Sequence, residues 1–157
     1  MSIYSVDKLM LETRRLAAEF YRTTQQALPV TNELAKYDAC RLLQCQEPAA
    51  VRAGVDLHDE QGRPIQVKGR VIFDEAKRNY RIGQLSPDGA WEAVFLVLMD
   101  AEYETQEIYS ASREEIDVAL QRQDNEPRER RGAMSVNKFK AIGQLCWTRE
   151  QGRVLNG

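Results

Sequence analysis

Three residues near the middle of the chain have types and spacing that could do chemistry: Asp56, Gln66 and Lys68. Val55-Asp56-Leu57-His58 alternates apolar with polar. Pro64 to Phe73 alternates again, with Ile65, Val67, Val71 and Phe73 on one face and Gln66, Lys68 and Arg70 on the other, the period of a strand. Asp59-Glu60-Gln61-Gly62-Arg63 between them is rich in turn formers. A turn over Asp59 to Arg63 pairs His58 with Pro64 and Leu57 with Ile65, and sets Asp56 opposite Gln66. Directly opposed residues share a sheet face. A carboxylate, an amide carbonyl and an ammonium then converge on one side: two oxygen donors beside a cation. A two-residue turn at Gln61-Gly62 would slip the register by one and scatter them. The same three side chains also suit a half-solvated sheet face without any reaction.

Asp56, nine intervening residues and then Gln66-Val67-Lys68 resemble the core motif of the restriction-endonuclease-like PD-(D/E)XK nuclease superfamily. That motif is an acid on one strand, then an acid, a spacer and a lysine on the next. Gln66 stands where the commonest pattern has the second acid, and the Asp…Gln-x-Lys form resembles the Mrr-like variant. The superfamily also tends to carry a metal-supporting glutamate on a preceding helix, and Glu33 is the residue matched to it. The resemblance spans about residues 31–73. A fainter likeness to a bacterial domain family of no assigned activity adds nothing about function.

The resemblance implies a restriction-endonuclease-like fold and a metal-dependent nuclease acting on DNA. Asp56, Gln66 and Glu33 would hold Mg2+ or Mn2+, a hard cation that takes oxygen donors. The metal would polarise the phosphate and generate hydroxide from water. Lys68 would orient that water or offset charge building on phosphorus. The alternative is the same fold without catalysis, a nucleic-acid-binding or protein-interaction module in which Gln66 marks a degraded metal site. Two cuts in a duplex would require two sites, hence a homodimer or a protein partner. His58 shares the face of Asp56 in this register and reads as a bystander near the turn.

A second feature is basic. Arg128, Arg130, Arg131, Lys138 and Lys140 stand against Glu129 alone, a local excess that suits phosphate contacts. Arg70, Lys77, Arg78 and Arg81 would extend it. No aromatic residues interleave with these, so a stacking platform for single strands is not expected.

The elements that must position these groups can be read from periodicity. Ser5 to about Ala27 is an amphipathic helix with Val6, Leu9, Met10, Leu16, Ala17, Phe20 and Tyr21 on one inward stripe. After Leu28-Pro29-Val30, Thr31 or Asn32 caps a second helix that carries Leu34, Ala35, Ala39, Leu42 and Leu43 inward. Residues 74–90 read as a long loop. Ala93 to Met99 is an unbroken apolar run, the mark of a strand buried on both faces, and about Glu104 to Tyr109 pairs with it. Ser112 and Glu115 form a capping box for a further helix. Residues 123–134 read as loop, and Ser135 caps a last helix. The expected class is α+β (mixed α/β): a central mixed sheet of three to four or more strands flanked by N-terminal and C-terminal helices.

The bulk composition narrows the classes. The chain has 157 residues, one domain's worth; the expected division is a single domain over 1–147 and a flexible tail over 148–157. With 43% hydrophobic and 29% charged residues, wholesale disorder is excluded. Twenty-two basic against 24 acidic side chains leave a net charge of −2, which excludes attachment to DNA by bulk charge. Cys40, Cys45, Cys146 and the lone His58 cannot build a typical four-ligand zinc site. Thiols of this kind, no apolar stretch of membrane-spanning length and no leader pattern at Met1 to Lys8 point to a cytoplasmic protein with no membrane partner.

Overall fold

A computed structural model describes residues 5–77, 80–121 and 134–154. Its elements follow in chain order: α1 (Val6–Thr24), α2 (Thr31–Leu42), β1 (Leu57–His58), β2 (Pro64–Val71), β3 (Ala93–Met99), β4 (Thr105–Ser112), α3 (Arg113–Gln121), α4 (Val136–Ile142), β5 (Gln144–Thr148) and β6 (Gly152–Arg153). The expected α+β class with a central mixed sheet is what forms. The strands lie side by side in chain order. β2 and β3 run parallel, and every other neighbouring pair is antiparallel.

Alternation along the strands sorts side chains into two cores. Ile65, Val67 and Val71 of β2 and Ala93, Phe95, Val97 and Met99 of β3 join Ala17, Leu34, Ala35 and Ala39 of the first two helices. The intervening Val94, Leu96 and Leu98 face the other way, onto Ile82, Leu85, Trp91, Ile116 and Phe139. β3 is therefore buried along its whole length, and this is why its sequence does not alternate. α2 lies close against β2 at Gly69, where a Cβ would stand 2.7 Å from the Ala35 Cβ. The second layer is partly loop. Residues 80–91 return from β2 to β3 across it, and Arg81 bridges to Ser135 at the start of α4.

Local signals account for several boundaries. Ser5 accepts from the Lys8 amide to cap α1. Ser112 and Glu115 form both halves of the capping box, at 3.0 and 3.1 Å. Ser135 accepts from the Lys138 amide. Two expectations are corrected. The α2 cap is Val30, with no side-chain cap bond, because Asn32 turns to the sheet instead. Of the tail expected over 148–157, the described residues 148–154 hold the end of β5 and then β6, paired Trp147–Arg153 and Thr148–Gly152. Trp147 is buried in the helix-side core, and that apolar anchor holds the hairpin to the sheet.

The α1 stripe also divides. Arg14, Ala17 and Ala18 are the buried positions, whereas Val6, Leu9 and Leu16 are 63%, 44% and 64% exposed. Among the described residues no helix is long and apolar enough to cross a membrane.

Candidate functional site

The turn between β1 and β2 fixes the register on which the sequence argument depended. Asp59 accepts the Gln61 and Arg63 amides at 3.0 and 2.8 Å and pairs with the Arg63 guanidinium at 2.7 Å. Gly62 supplies the left-handed conformation with φ of 81°. Leu57 then faces Ile65 and His58 faces Pro64, the pairing that a turn over residues 59–63 implies. Asp56 sits one residue before β1. Its amide donates to the Ile65 carbonyl at 2.8 Å, and its Oδ2 accepts the Val67 amide at 2.8 Å. β1 is too short to pair with the rest of β2, so the outer edge of β2 would leave backbone donors orphaned. Asp56 satisfies one, and Asn32 Oδ1 satisfies the Gly69 amide at 2.9 Å.

Gln66 is 7% exposed because the returning loop lies over it. Its Oε1 accepts the Ser86 amide at 3.3 Å and its Nε2 donates to Ser86 Oγ at 3.4 Å. That stretch of loop is anchored by Arg113, which donates to the carbonyls of Gly89, Trp91 and Pro87 at 2.6, 2.9 and 2.7 Å and stacks over the Trp91 ring. Trp91 Nε1 in turn donates to the Ser86 carbonyl at 2.6 Å. Gly54 and Gly89 meet back to back beneath this loop: a Cβ on either would fall 2.9 Å from the other's Cα.

Lys68 is half-buried beside Gln66. Burial lowers its pKa below the ordinary lysine value, the charge of Arg70 lowers it further, and Asp56 pulls weakly the other way. Arg70 folds onto backbone, donating to the Gly69 carbonyl at 2.6 Å and to the Arg81 carbonyl. Burial lowers its pKa too.

Glu33 lies in the first turn of α2, on the helix side of the sheet, and pairs with Lys36 at 3.0 Å. The donor set was tested against a divalent cation. Asp56 offers one carboxylate with an oxygen already committed to Val67, Gln66 Oε1 is committed to Ser86, and Glu33 is engaged on its own helix. Among the described residues no three His, Cys, Asp or Glu side chains converge so as to hold a metal ion. Magnesium keeps several waters and is usually held by one or two carboxylates; of these three residues Asp56 alone brings a carboxylate beside Lys68, and one of its oxygens already accepts the Val67 amide.

Of the basic residues, Arg128, Arg130, Arg131 and Arg78 lie outside the described residues. Lys138 sits part-buried in α4. Lys140 pairs with Glu107 at 3.5 Å and lies over the Tyr109 ring. Tyr109 donates to Glu107 at 3.2 Å; burial, reinforced by Glu107, pushes its phenol up to about 12. Lys140 and Glu107 border a cleft of about 330 Å³ at the carboxyl ends of parallel β2 and β3, where open α/β sheets commonly take ligands. Among the described residues its walls set Glu75, Asp100 and Glu107 against Lys77 and Lys140.

The sequence reading missed the most enclosed polar cluster. Arg14 holds Asp38 through two bonds of 3.0 and 2.7 Å and also donates to the Tyr103 carbonyl, while Thr105 donates to Asp38 at 2.6 Å. One signal was there: both charges lie three and four residues from buried apolar positions, Ala17 and Ala18 for Arg14 and Leu34 and Ala35 for Asp38. No protein-family model matches this chain, and no curated protein does either.

Proposed function

We propose that this chain is a nuclease-like domain working as a non-catalytic interaction module. The observation that carries the reading is that Asp56 accepts the Val67 amide and Gln66 accepts the Ser86 amide, while Glu33 sits exposed on the helix side of the sheet beside Lys36. A carboxamide under a loop, donating and accepting at once, is a structural hydrogen-bonding group. The described basic residues also argue for a protein partner over nucleic acid, since Arg70 is turned onto carbonyls and Lys140 is neutralised by Glu107.

The second reading is a metal-dependent nuclease that cleaves DNA with Mg2+ or Mn2+. What favours it is Lys68, half-buried on the face of Asp56 with a lowered pKa, a pattern that recurs at functional sites. The two readings are separated by Mn2+ binding followed by electron paramagnetic resonance, together with cleavage of supercoiled plasmid and single-stranded DNA. The module predicts no manganese binding at about millimolar concentration and no cleavage by the wild type. Manganese-dependent cleavage that disappears in both Asp56→Ala and Lys68→Ala, with both still folded, would overturn it.

A further inference from the structure

The end of α2 brings two of the three cysteines together. α2 closes at Leu43, whose amide donates to the Ala39 carbonyl, and Gln44 follows in the left-handed conformation with φ of 54°. The Cys45 amide then turns back to the Cys40 carbonyl at 2.9 Å. A bond of this span across a left-handed residue is a Schellman closure, and the two residues it joins commonly set their side chains against each other. Here both are cysteines. The 2.9 Å bond and fixed covalent lengths hold their Cα atoms no more than about 6.8 Å apart, within the span that a disulfide bridges.

The side chains share one environment. Cys45 is buried in the helix-side core, and Cys40 packs against the same cluster. The Cys40 thiol lies 3.2 Å from the Cys45 carbonyl. Cys40 is partly open to solvent, which gives an oxidant its way in. Cys146 stands apart on β5: its thiol lies 3.5 Å from the Gln144 carbonyl, and the charges that reach it are those of Arg63 and Arg153 rather than a second cysteine.

We propose that Cys40 and Cys45 are an oxidisable pair that closes reversibly to a disulfide across the end of α2. The oxidant is a hydroperoxide. The Cys40 thiolate attacks a peroxide oxygen, the O–O bond breaks, and Cys40 becomes a sulfenic acid. The Cys45 thiolate then attacks the Cys40 sulfur, the S–O bond breaks, and the oxygen leaves as water. With hydrogen peroxide the balance is two thiols and one peroxide to one disulfide and two waters. The bond ties the end of α2 to the strand edge, because Gln46 bridges His58 of β1. Both cysteines belong to the helix side and Gln66 lies under the loop, so the pair stands whether or not the chain cuts nucleic acid.

The test is oxidation of the reduced full chain with hydrogen peroxide at about pH 9, since burial raises both thiols and the thiolate is the species that reacts. Thiols are counted in denaturant, and trypsin, which cuts after Arg41, separates Cys40 from Cys45. The expected result is a fall from three thiols to one, with segments 37–41 and 42–52 recovered as a linked species that dithiothreitol parts. Cys146→Ala should keep the link. Cys40→Ala and Cys45→Ala, each checked for helicity, should lose it. Three surviving thiols, a link to Cys146, or thiols lost to sulfinic acid with no link would each overturn the proposal.

Discussion

Two acid–base pairs lie on opposite faces of this sheet, and they behave differently. On the helix side Arg14 and Asp38 are 9% and 4% exposed and joined by two short bonds, with Thr105 completing the carboxylate. On the loop side Asp56 and Lys68 are close enough to feel each other's charge, yet Asp56 bonds to backbone and Lys68 is governed by burial and by Arg70. The closed pair ties α1, α2 and the β3–β4 turn together. The open one is a carboxylate closing a sheet edge beside an ammonium that has lost part of its hydration. Proximity of opposite charges therefore does not identify a reactive site; what each group is already bonded to decides.

The largest expected effect breaks the closed pair. Asp38→Ala leaves the Arg14 guanidinium buried and unpaired, at a cost of about 3–5 kcal/mol in urea unfolding. The double variant Arg14→Met with Asp38→Leu should lose much less than the two single losses added, and additive losses would mean that the groups act independently. Next is the loop that covers Gln66. Arg113→Ala removes a charged donor from three carbonyls and should cost about 2 kcal/mol, with a shift in Trp91 fluorescence; unchanged emission would place the anchor elsewhere. Asp56→Ala exposes the Val67 amide at the edge of β2 and should cost about 1 kcal/mol, whereas Lys68→Met should cost nothing. An equal loss in both would make the open pair a true ion pair.

Tyr103 offers a gain of similar size. Its hydroxyl is buried without a partner among the described residues, so Tyr103→Phe should raise stability by about 1 kcal/mol. A loss would reveal a partner for the hydroxyl.

The smallest effects separate the two faces by pH. On the helix side burial, with Cys40, Asp59 and Glu60 adding to it, pushes the Cys45 thiol from 9.0 up to about 12. The folded chain then keeps a proton that the unfolded chain releases. Stability from this group is whole below about pH 9 and falls as pH rises toward about 12. Cys45→Ala should flatten that decline. Lys68 has the opposite sign: its lowered value makes the unfolded chain the better proton binder just below pH 10.5, so its contribution rises with pH there. Alkaline titration of Lys68→Met against wild type reads the difference, and curves that stay parallel would count against a lowered lysine.

Much of the scaffold was legible in the chain because local rules set it. The change from helical to alternating period, the apolar run of β3, the Ser112–Glu115 box and the Asp59 turn all act within a few residues, and the turn fixed the β1–β2 register. What escaped depends on distant neighbours. Val6, Leu9 and Leu16 share periodicity with Ala17 and differ only in what lies beside them. Asp38 looks like a surface acid until Arg14, 24 residues away, meets it. β5 follows α4 after Gly143, at which a Cβ would stand 2.6 Å from the Ser110 carbonyl, a constraint with no trace in hydropathy.

By itself the sequence determined the α+β class, the strand–turn–strand and its register, because alternation and turn chemistry are properties of adjacent residues; Gln66, Lys68 and Asp56 were named from that pattern. Only the tertiary structure decided what those side chains do. A loop 20 residues away brings Ser86 onto Gln66, and the open edge of β2 claims Asp56. A polar group withdrawn from water must take whatever partner the fold brings within reach.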